Sequence, residues 1–448
     1  MKLIPLFVTL LAVFTTALRA TGKPNIVFLL ADDLGGADLH CYGHPYSRTP
    51  NIDSLARDGT RFTQYHATGA TCCPTRAGLM TSWLPARYPV YPANGGFANR
   101  PAITELLKKN GYATGHFGKW HIGPDTKPGT YGIDEIGGTE DGGGKKQKAE
   151  DSRGRDAHIY DDAIRFIEKH RGGPFYVNVW GHIPHNPINP VEPLVKRWSD
   201  LKVSDGDFAT QMHDKFAAVR KGGGDVDDAM RRYLADIESL DDSVGRILKH
   251  IDELGLRDNT IVVFNTDQGA DMTKAGAGGL RDNQMGFNGA QRGGKHTHWQ
   301  GGQCVPWIVR WPGKVPAGRV DSHSVLSGTD FLPTLCAITG VKINVADFDG
   351  EDASSAWFGQ TFVRTKPLLW KTSSAGADAF IRDGQWKLRV PTRKKDGEIE
   401  LYDLVIDPAE SNNLAEKQPD IVKKLSAKLE AWTSTLPKEY EKAKDKDE

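Results

Sequence analysis

Hydrophobic positions along the chain follow two rhythms. Apolar runs at Asn25–Leu30, Phe175–Trp180, Thr260–Asn265 and Val305–Arg310 are too short for helices and suit strands of a sheet covered on both faces. Between them, Ile103–Lys109 reads as a short helix, and Asp156–Lys169 as a longer one with Ile159, Ala163, Ile164 and Ile167 on one side. From Met230 to Leu254 the positions Tyr233, Leu234, Ile237, Leu240, Val244, Ile247, Leu248 and Ile251 recur at helical spacing. Strands alternating with helices predict an α/β sandwich, a large mixed, mostly parallel sheet with helices on both faces. Past about Asp349 the texture changes to short strands, at Trp386-Lys387-Leu388 and Leu401-Tyr402-Asp403-Leu404, then a helix from Pro419 to Leu436. A smaller C-terminal α+β domain over 349–448 is therefore expected behind a main domain over 23–348. Gly142-Gly143-Gly144 with Lys145 and Lys146, and Gly222-Gly223-Gly224, mark loop insertions.

The first 20 residues fall outside this pattern. Lys2 precedes an apolar run from Leu3 to Leu18, with small residues at Ala17 and Ala20. This reads as a secretory signal peptide over 1–20, since the run is shorter than the roughly 20 residues that a membrane span needs. An exported chain, periplasmic or secreted, with no membrane span after signal removal is the expectation. Lys+Arg and Asp+Glu both number 57, and this zero net charge argues against a nucleic-acid partner. Five cysteines, Cys41, Cys72, Cys73, Cys304 and Cys336, leave one sulfur over after any pairing. Adjacent Cys72 and Cys73 are poorly placed to bridge each other.

Candidate chemistry begins where the first strand ends. Ala31 runs directly into Asp32-Asp33, two adjacent carboxylates at the edge of the sheet where α/β proteins bind ligands. Alone, such a pair favours a helix cap, a common use for Asp. A second strand end, Phe264-Asn265-Thr266, delivers Asp267-Gln268-Gly269, and two such ends favour a hard-cation site. A further segment, Thr71-Cys72-Cys73-Pro74-Thr75-Arg76-Ala77-Gly78-Leu79-Met80-Thr81, places a Cys just ahead of a helix-like stretch.

Cys72-x-Pro74-x-Arg76, with Leu79 and Thr81 after it, resembles the signature of the type I, formylglycine-dependent sulfatases of the alkaline phosphatase-like superfamily. The resemblance extends in order along most of the mature chain. It includes Lys23-Pro24-Asn25-Ile26 to Asp33, Thr49-Pro50-Asn51-Ile52-Asp53, Gly118-Lys119-Trp120-His121, Pro184-His185-Asn186-Pro187, Asp267-Gln268-Gly269, Lys295 and Gly301-Gly302 to Pro306. Leu401-Tyr402-Asp403-Leu404 to Asp407-Pro408, with Asn413-Leu414, is similar to the family's C-terminal signature.

The resemblance implies a sulfuric ester hydrolase acting on a sulfated carbohydrate or aryl sulfate. Cys72 would be oxidised to formylglycine by a maturation enzyme, and one hydroxyl of the aldehyde hydrate would attack sulfur. Asp32, Asp33, Asp267, Gln268 and the modified Cys72 would bind Ca²⁺, with Mg²⁺ the alternative. Arg76 would position the hydrate, while Lys119 and Lys295 would hold the sulfate. His185, with Lys295, would protonate the leaving oxygen, and His121 would take a proton as sulfate is expelled. His116 and His182 read as structural, and His296 and His298 as substrate-loop residues. The Gly-rich stretch Ala275–Gly294, carrying Arg281, Asn283, Asn288 and Arg292, is the candidate substrate-reading loop.

Three positions depart from the family pattern. Gln268 stands for Asn or His, Gln300 for Glu, and Cys304 for Arg. A phosphate or phosphonate ester hydrolase of the same superfamily remains the alternative, as does an inactive sulfated-glycan binder if Cys72 stays a thiol.

Overall fold

A computed structural model of the chain describes residues 22–91, 96–123, 127–138, 151–272, 285–372, 378–392 and 397–441. The expected signal peptide, Gly142-Gly143-Gly144, and Arg281 and Asn283 of the expected substrate loop lie outside the described residues. The strands of the main body are β1 (Asn25–Ala31), β2 (Thr60–Phe62), β3 (Tyr65–His66), β4 (Ala113–Gly118), β5 (Glu135–Gly137), β6 (Phe175–Trp180), β7 (Thr260–Thr266), β8 (Trp307–Arg310), β9 (Arg319–Asp321) and β10 (Leu326–Ser327). Eight of them form one sheet in the order β5-β4-β6-β1-β7-β8-β2-β9, and β3 pairs with β10. From β5 to β7 every neighbouring pair is parallel, whereas β8 runs antiparallel to both β7 and β2. The sheet is thus mixed and mostly parallel, as the sequence predicts.

Every residue of β1, β6 and β7 is buried because helices cover both faces. Side chains alternate along β1. Val27 and Leu29 enter a core with the helices Ala157–His170 and Val226–Glu253, and Ile26, Phe28 and Leu30 enter another with Cys72–Thr81 and Phe331–Thr339. Each large side chain so buried contributes about 1.5–3 kcal/mol of transfer free energy.

The C-terminal sheet is antiparallel, in the order β11 (Leu368–Lys371), β12 (Ala379–Asp383), β13 (Trp386–Val390), β14 (Glu400–Asp403). Ala379, Ile381, Leu388 and Leu401 pack beneath the helix Pro419–Thr433 through Leu425 and Leu429. That helix stops short of Leu436, where the hydroxyls of Ser434 and Thr435 donate to the carbonyls of Ala431 and Trp432 and Pro437 follows. By the same alternation Trp370, Phe380, Arg382 and Lys387 face the main body.

Residues on both sides of the expected boundary at Asp349 pack on the main body. Asp349 accepts from Leu84 N at 2.7 Å, Ala353 N donates to Thr334 Oγ1 at 2.9 Å, and Trp357 is buried beside Trp307. These residues complete the main core, and the small sheet starts at Leu368.

Candidate active site

Four neighbouring parallel strands end at one level. Leu30 and Gly118 both pair with Trp180, and Ala31 pairs with Thr266, so the next residues, Asp32, Lys119 and Asp267, emerge together at the carboxyl edge. Gly118 makes one of these exits feasible. Its φ is +103°, a Cβ there would lie 2.0 Å from Trp180 O, and the following Lys119 N donates to that carbonyl at 2.8 Å. Gly269 closes another, since a Cβ would lie 1.8 Å from Gly301 O. This contact seats the end of β7 against the short helix Gln300–Gln303, whose Gln303 Nε2 donates to Gly69 O at 3.0 Å.

Cys72 is the first residue of the buried helix Cys72–Thr81, so it sits at the positive end of the helix dipole. Its Sγ lies 3.3 Å from Asp32 Oδ1 and 3.7 Å from Asp33 Oδ1. One turn later Arg76 donates through Nε and Nη2 to Asp267 Oδ2 at 3.0 and 2.9 Å, and its Nη2 lies 3.2 Å from Asp32 Oδ1. Lys119 Nζ holds Asp32 Oδ2 at 2.6 Å, and Lys295 Nζ holds Asp33 Oδ2 at 2.6 Å. Asp267 Oδ1 accepts from the backbone N–H groups of Asp33 and Gln268 at 3.1 and 3.0 Å. Gln268 Nε2 donates to Asp33 Oδ1 and lies 3.6 Å from Cys72 Sγ. Its buried Oε1 has no hydrogen-bond partner among the described residues.

His185 is the open side of the cluster, with its side chain 32% exposed and Nε2 at 3.7 Å from Asp33 Oδ2. Its Nδ1 lies 2.9 Å from Asn186 O. A carbonyl only accepts, so Nδ1 carries hydrogen and Nε2 is the atom left to exchange a proton with the site. Ligand atoms of Asp32, Asp33, Cys72 and His185 all lie within 4.8 Å of one another.

Burial dominates the electrostatics, and neighbouring charges decide its outcome. For Asp32, burial pushes upward, yet Lys119, His185, Arg76 and Lys295 together hold it well below the usual carboxylate range. Burial, then the charges of Asp32 and Asp33, lift Asp267 to about 7 against Arg76 and Lys119. Burial opposes protonation of Lys119 and Lys295 as well, but the surrounding acidic groups raise both and keep them cationic. The Cys72 thiol is pushed well above its ordinary value by burial, then by Asp267 and Asp32. An unmodified Cys72 is therefore a poor nucleophile, because the reactive thiolate is disfavoured.

The structure brings together Asp32, Asp33, Cys72, Arg76, Lys119, His185, Asp267, Gln268 and Lys295. His121 lies at the exposed end of the Lys119 loop with φ +56°. His296 is exposed beside Lys295, its N donating to Ala70 O at 2.8 Å. His116 and His182 are buried and structural: His116 Nε2 meets Gly118 O at 3.1 Å, and His182 Nδ1 meets Asp156 Oδ1 at 3.3 Å.

Several expectations are corrected. His298 is no substrate-loop residue, for it is buried against Phe380, and burial pushes its imidazole down to about 3. Asn288 is turned inward, accepting from Ala270 N and Gly36 N at 3.0 and 3.2 Å. Arg292 is tied to Glu400 Oε2 at 2.8 Å and Tyr402 Oη at 2.9 Å, and stacks 3.6 Å over Trp299. All five cysteines are free, so the odd count singles out no sulfur, and Cys72 stands apart by its surroundings. Sequence reasoning missed Arg155, Asp156 and Asp236, which lie behind the His185 loop. In the sequence, Asp156 marks only the start of a helix and Arg155 lies just outside it.

A family model described as Sulfatase matches residues 24–341. N-acetylgalactosamine-6-O-sulfatase of Bacteroides thetaiotaomicron is 27% identical, over 91% of this chain and 93% of that protein. Arylsulfatase A of Homo sapiens is 28% identical, over 98% of this chain and 94% of its own. Among solved structures, Ps i-CgsB in complex with k-i-k-neocarrahexaose is similar at a TM-score of 0.77 and 24% identity, covering 94% of this chain and 95% of that one. At that identity the likeness is one of fold.

Proposed function

The chain belongs to the sulfatase family and is a sulfuric ester hydrolase, and we propose that it desulfates a sulfated carbohydrate after export, using a formylglycine made from Cys72 and a bound divalent cation. The observation that carries this reading is the convergence around Cys72 of Asp32, Asp33 and Asp267 with Arg76, Lys119 and Lys295. The glycan substrate class is supported by the relative named for N-acetylgalactosamine 6-O-sulfate. Export is supported by the Leu3–Leu18 run, and no helix among the described residues is long and apolar enough to cross a membrane.

The donor set fits a hard cation. Three carboxylates converge there, and the buried Gln268 Oε1 lacks a hydrogen-bond partner among the described residues. Asp32, Asp33, Asp267, Gln268 and the modified Cys72 would hold it, and crowded oxygen coordination suits Ca²⁺ better than Mg²⁺. When bound, the cation supplies positive charge that activates the nucleophile and offsets charge on the sulfate.

The protein's own residues do the rest. Arg76 fixes Asp267 and, through the helix Cys72–Thr81, the position of residue 72. Lys119 and Lys295 remain cationic and stabilise the sulfate oxygens as charge builds. Asp267 helps take the proton of the attacking hydroxyl, His185 Nε2 gives its proton to the departing ester oxygen, and His121 accepts the proton of the second hydroxyl as sulfate is expelled. Formylglycine generation needs a maturation enzyme to reach Cys72. Since Cys72 is 3% exposed, that enzyme acts on the unfolded chain.

The test is turnover of 4-nitrophenyl sulfate beside 4-nitrophenyl phosphate by protein co-produced with a formylglycine-generating enzyme. Sulfate should be preferred, chelation should silence the enzyme, and Ca²⁺ should restore it. A preference for phosphate, or full activity in metal-stripped protein, would contradict the reading.

A further inference from the structure

The turn that carries His185 is clamped on both edges by two consecutive residues. Arg155 takes the carbonyls: Nη2 donates to His185 O at 2.6 Å and His182 O at 3.2 Å, and Nη1 to Pro187 O at 2.6 Å. Asp156 takes the amides: Oδ2 accepts from His182 N at 2.6 Å and Ile183 N at 3.0 Å. Behind Arg155 lies Asp236 of the helix Val226–Glu253, wholly buried, with Oδ2 at 3.6 Å from Arg155 Nη2. Removing such a pair from water is costly unless something is gained. Here the guanidinium is spent on the backbone of one loop.

That backbone determines where the imidazole points. The carbonyls gripped by Arg155 flank Asn186, whose own carbonyl meets His185 Nδ1 at 2.9 Å. Shifting the turn would release that contact and move Nε2 from its place 3.7 Å from Asp33. We infer that Arg155, with Asp236 as its counter-charge, is the positioning residue that aims His185 at the leaving-group oxygen. This rests on the reading of His185 as the acid given above. Arg155 touches no reacting atom and acts only through His185.

A proton donor matters most when the leaving oxygen is basic. The experiment measures kcat/KM of the matured, Ca²⁺-loaded enzyme on 4-nitrophenyl sulfate and phenyl sulfate, for Arg155→Met, His185→Ala and the double variant. Arg155→Met should lose about tenfold more on phenyl sulfate than on 4-nitrophenyl sulfate, and should add less than about twofold in the His185→Ala background. If Arg155→Met fails to fold, Arg155→Met with Asp236→Leu removes both charges and is held to the same pattern. Equal losses on both substrates for the Arg155 variant, while His185→Ala discriminates between them, overturn the positioning role alone. No discrimination by His185→Ala overturns the acid assignment, and the positioning role with it.

Discussion

The segment Lys295–Gln303 touches two clusters of buried charge, and they are built for different ends. At one end Lys295 joins the carboxylates at the edge of the main sheet. At the other, Gln300 N donates to Glu410 Oε2 at 2.7 Å, and Glu410 pairs with Lys387 at 2.7 Å inside a box of Trp299, Trp370 and Phe380 rings. Arg382 completes the second cluster, 2.9 Å from both Gln64 Oε1 and His66 Nε2. The Lys387–Glu410 pair is walled in by aromatic rings and joins the C-terminal sheet to the main body. The first cluster keeps ligand capacity in reserve: an amide oxygen on Gln268 with no hydrogen-bond partner among the described residues, an Asp267 carboxyl raised to about 7, and an open side at His185. Burial and charge are common to both, so the gathering of three carboxylates around Cys72 and the open side at His185 are what distinguish the first cluster from the joint.

The largest expected effect separates activity from stability. Cys72→Ala should lower aryl sulfate turnover by more than about a thousandfold, as loss of a nucleophile does, while shifting the denaturation midpoint little. A variant that retains activity would remove the first cluster from the chemistry.

Next come the two cations. Arg76→Met leaves Asp32 and Asp267 without their guanidinium, and Lys387→Met leaves Glu410 without its ammonium. Each should cost about 3–5 kcal/mol in urea denaturation of chelated protein. Only the first should also abolish turnover. Lys387→Met, assayed below its unfolding midpoint, should keep kcat/KM within about tenfold of the parent. Equal loss of activity in both would erase the distinction.

A smaller effect follows from pH. Burial, then Arg382 and Lys387, hold His66 well below its ordinary value, so the folded protein refuses a proton that the unfolded chain accepts below about 6.5. The stability that this neutral histidine contributes is present above that pH and is lost as pH falls toward its folded value. The His66 share of the slope should approach about 1.4 kcal/mol per pH unit. Urea midpoints between pH 7 and pH 5 check this, and His66→Gln should remove that share of the slope while the likewise depressed His298 keeps its own.

Arg292→Met should do least, because its pair with Glu400 is partly exposed. A stability loss within about 1 kcal/mol is expected. The ratio of rates on sulfated sugars and aryl sulfate should stay unchanged, and a changed ratio would return Arg292 to a substrate-reading role.

The two clusters were unequally legible in the sequence. Asp32-Asp33 and Asp267-Gln268 follow uninterrupted apolar runs, so strand ends and carboxylates could be read together, and the parallel order of β4, β6, β1 and β7 then aligned them. Lys119, His185 and Lys295 are single polar residues, and the family resemblance alone marked them. The joint was invisible because Arg382 and Lys387 lie in short alternating strands where a polar position normally faces water. Nothing in sequence spacing says that a second domain covers that face. Arg155 and Asp236 were hidden for the same reason, lying 81 positions apart and meeting only after folding.

Cys72 is the residue proposed for conversion to the catalytic formylglycine. Mass analysis of the peptide Phe62–Arg76, from active protein co-produced with a formylglycine-generating enzyme, tests it most directly. An aldehyde at Cys72 and an intact thiol at Cys73 are expected. A preparation that hydrolyses sulfate esters while Cys72 remains entirely a thiol would contradict it.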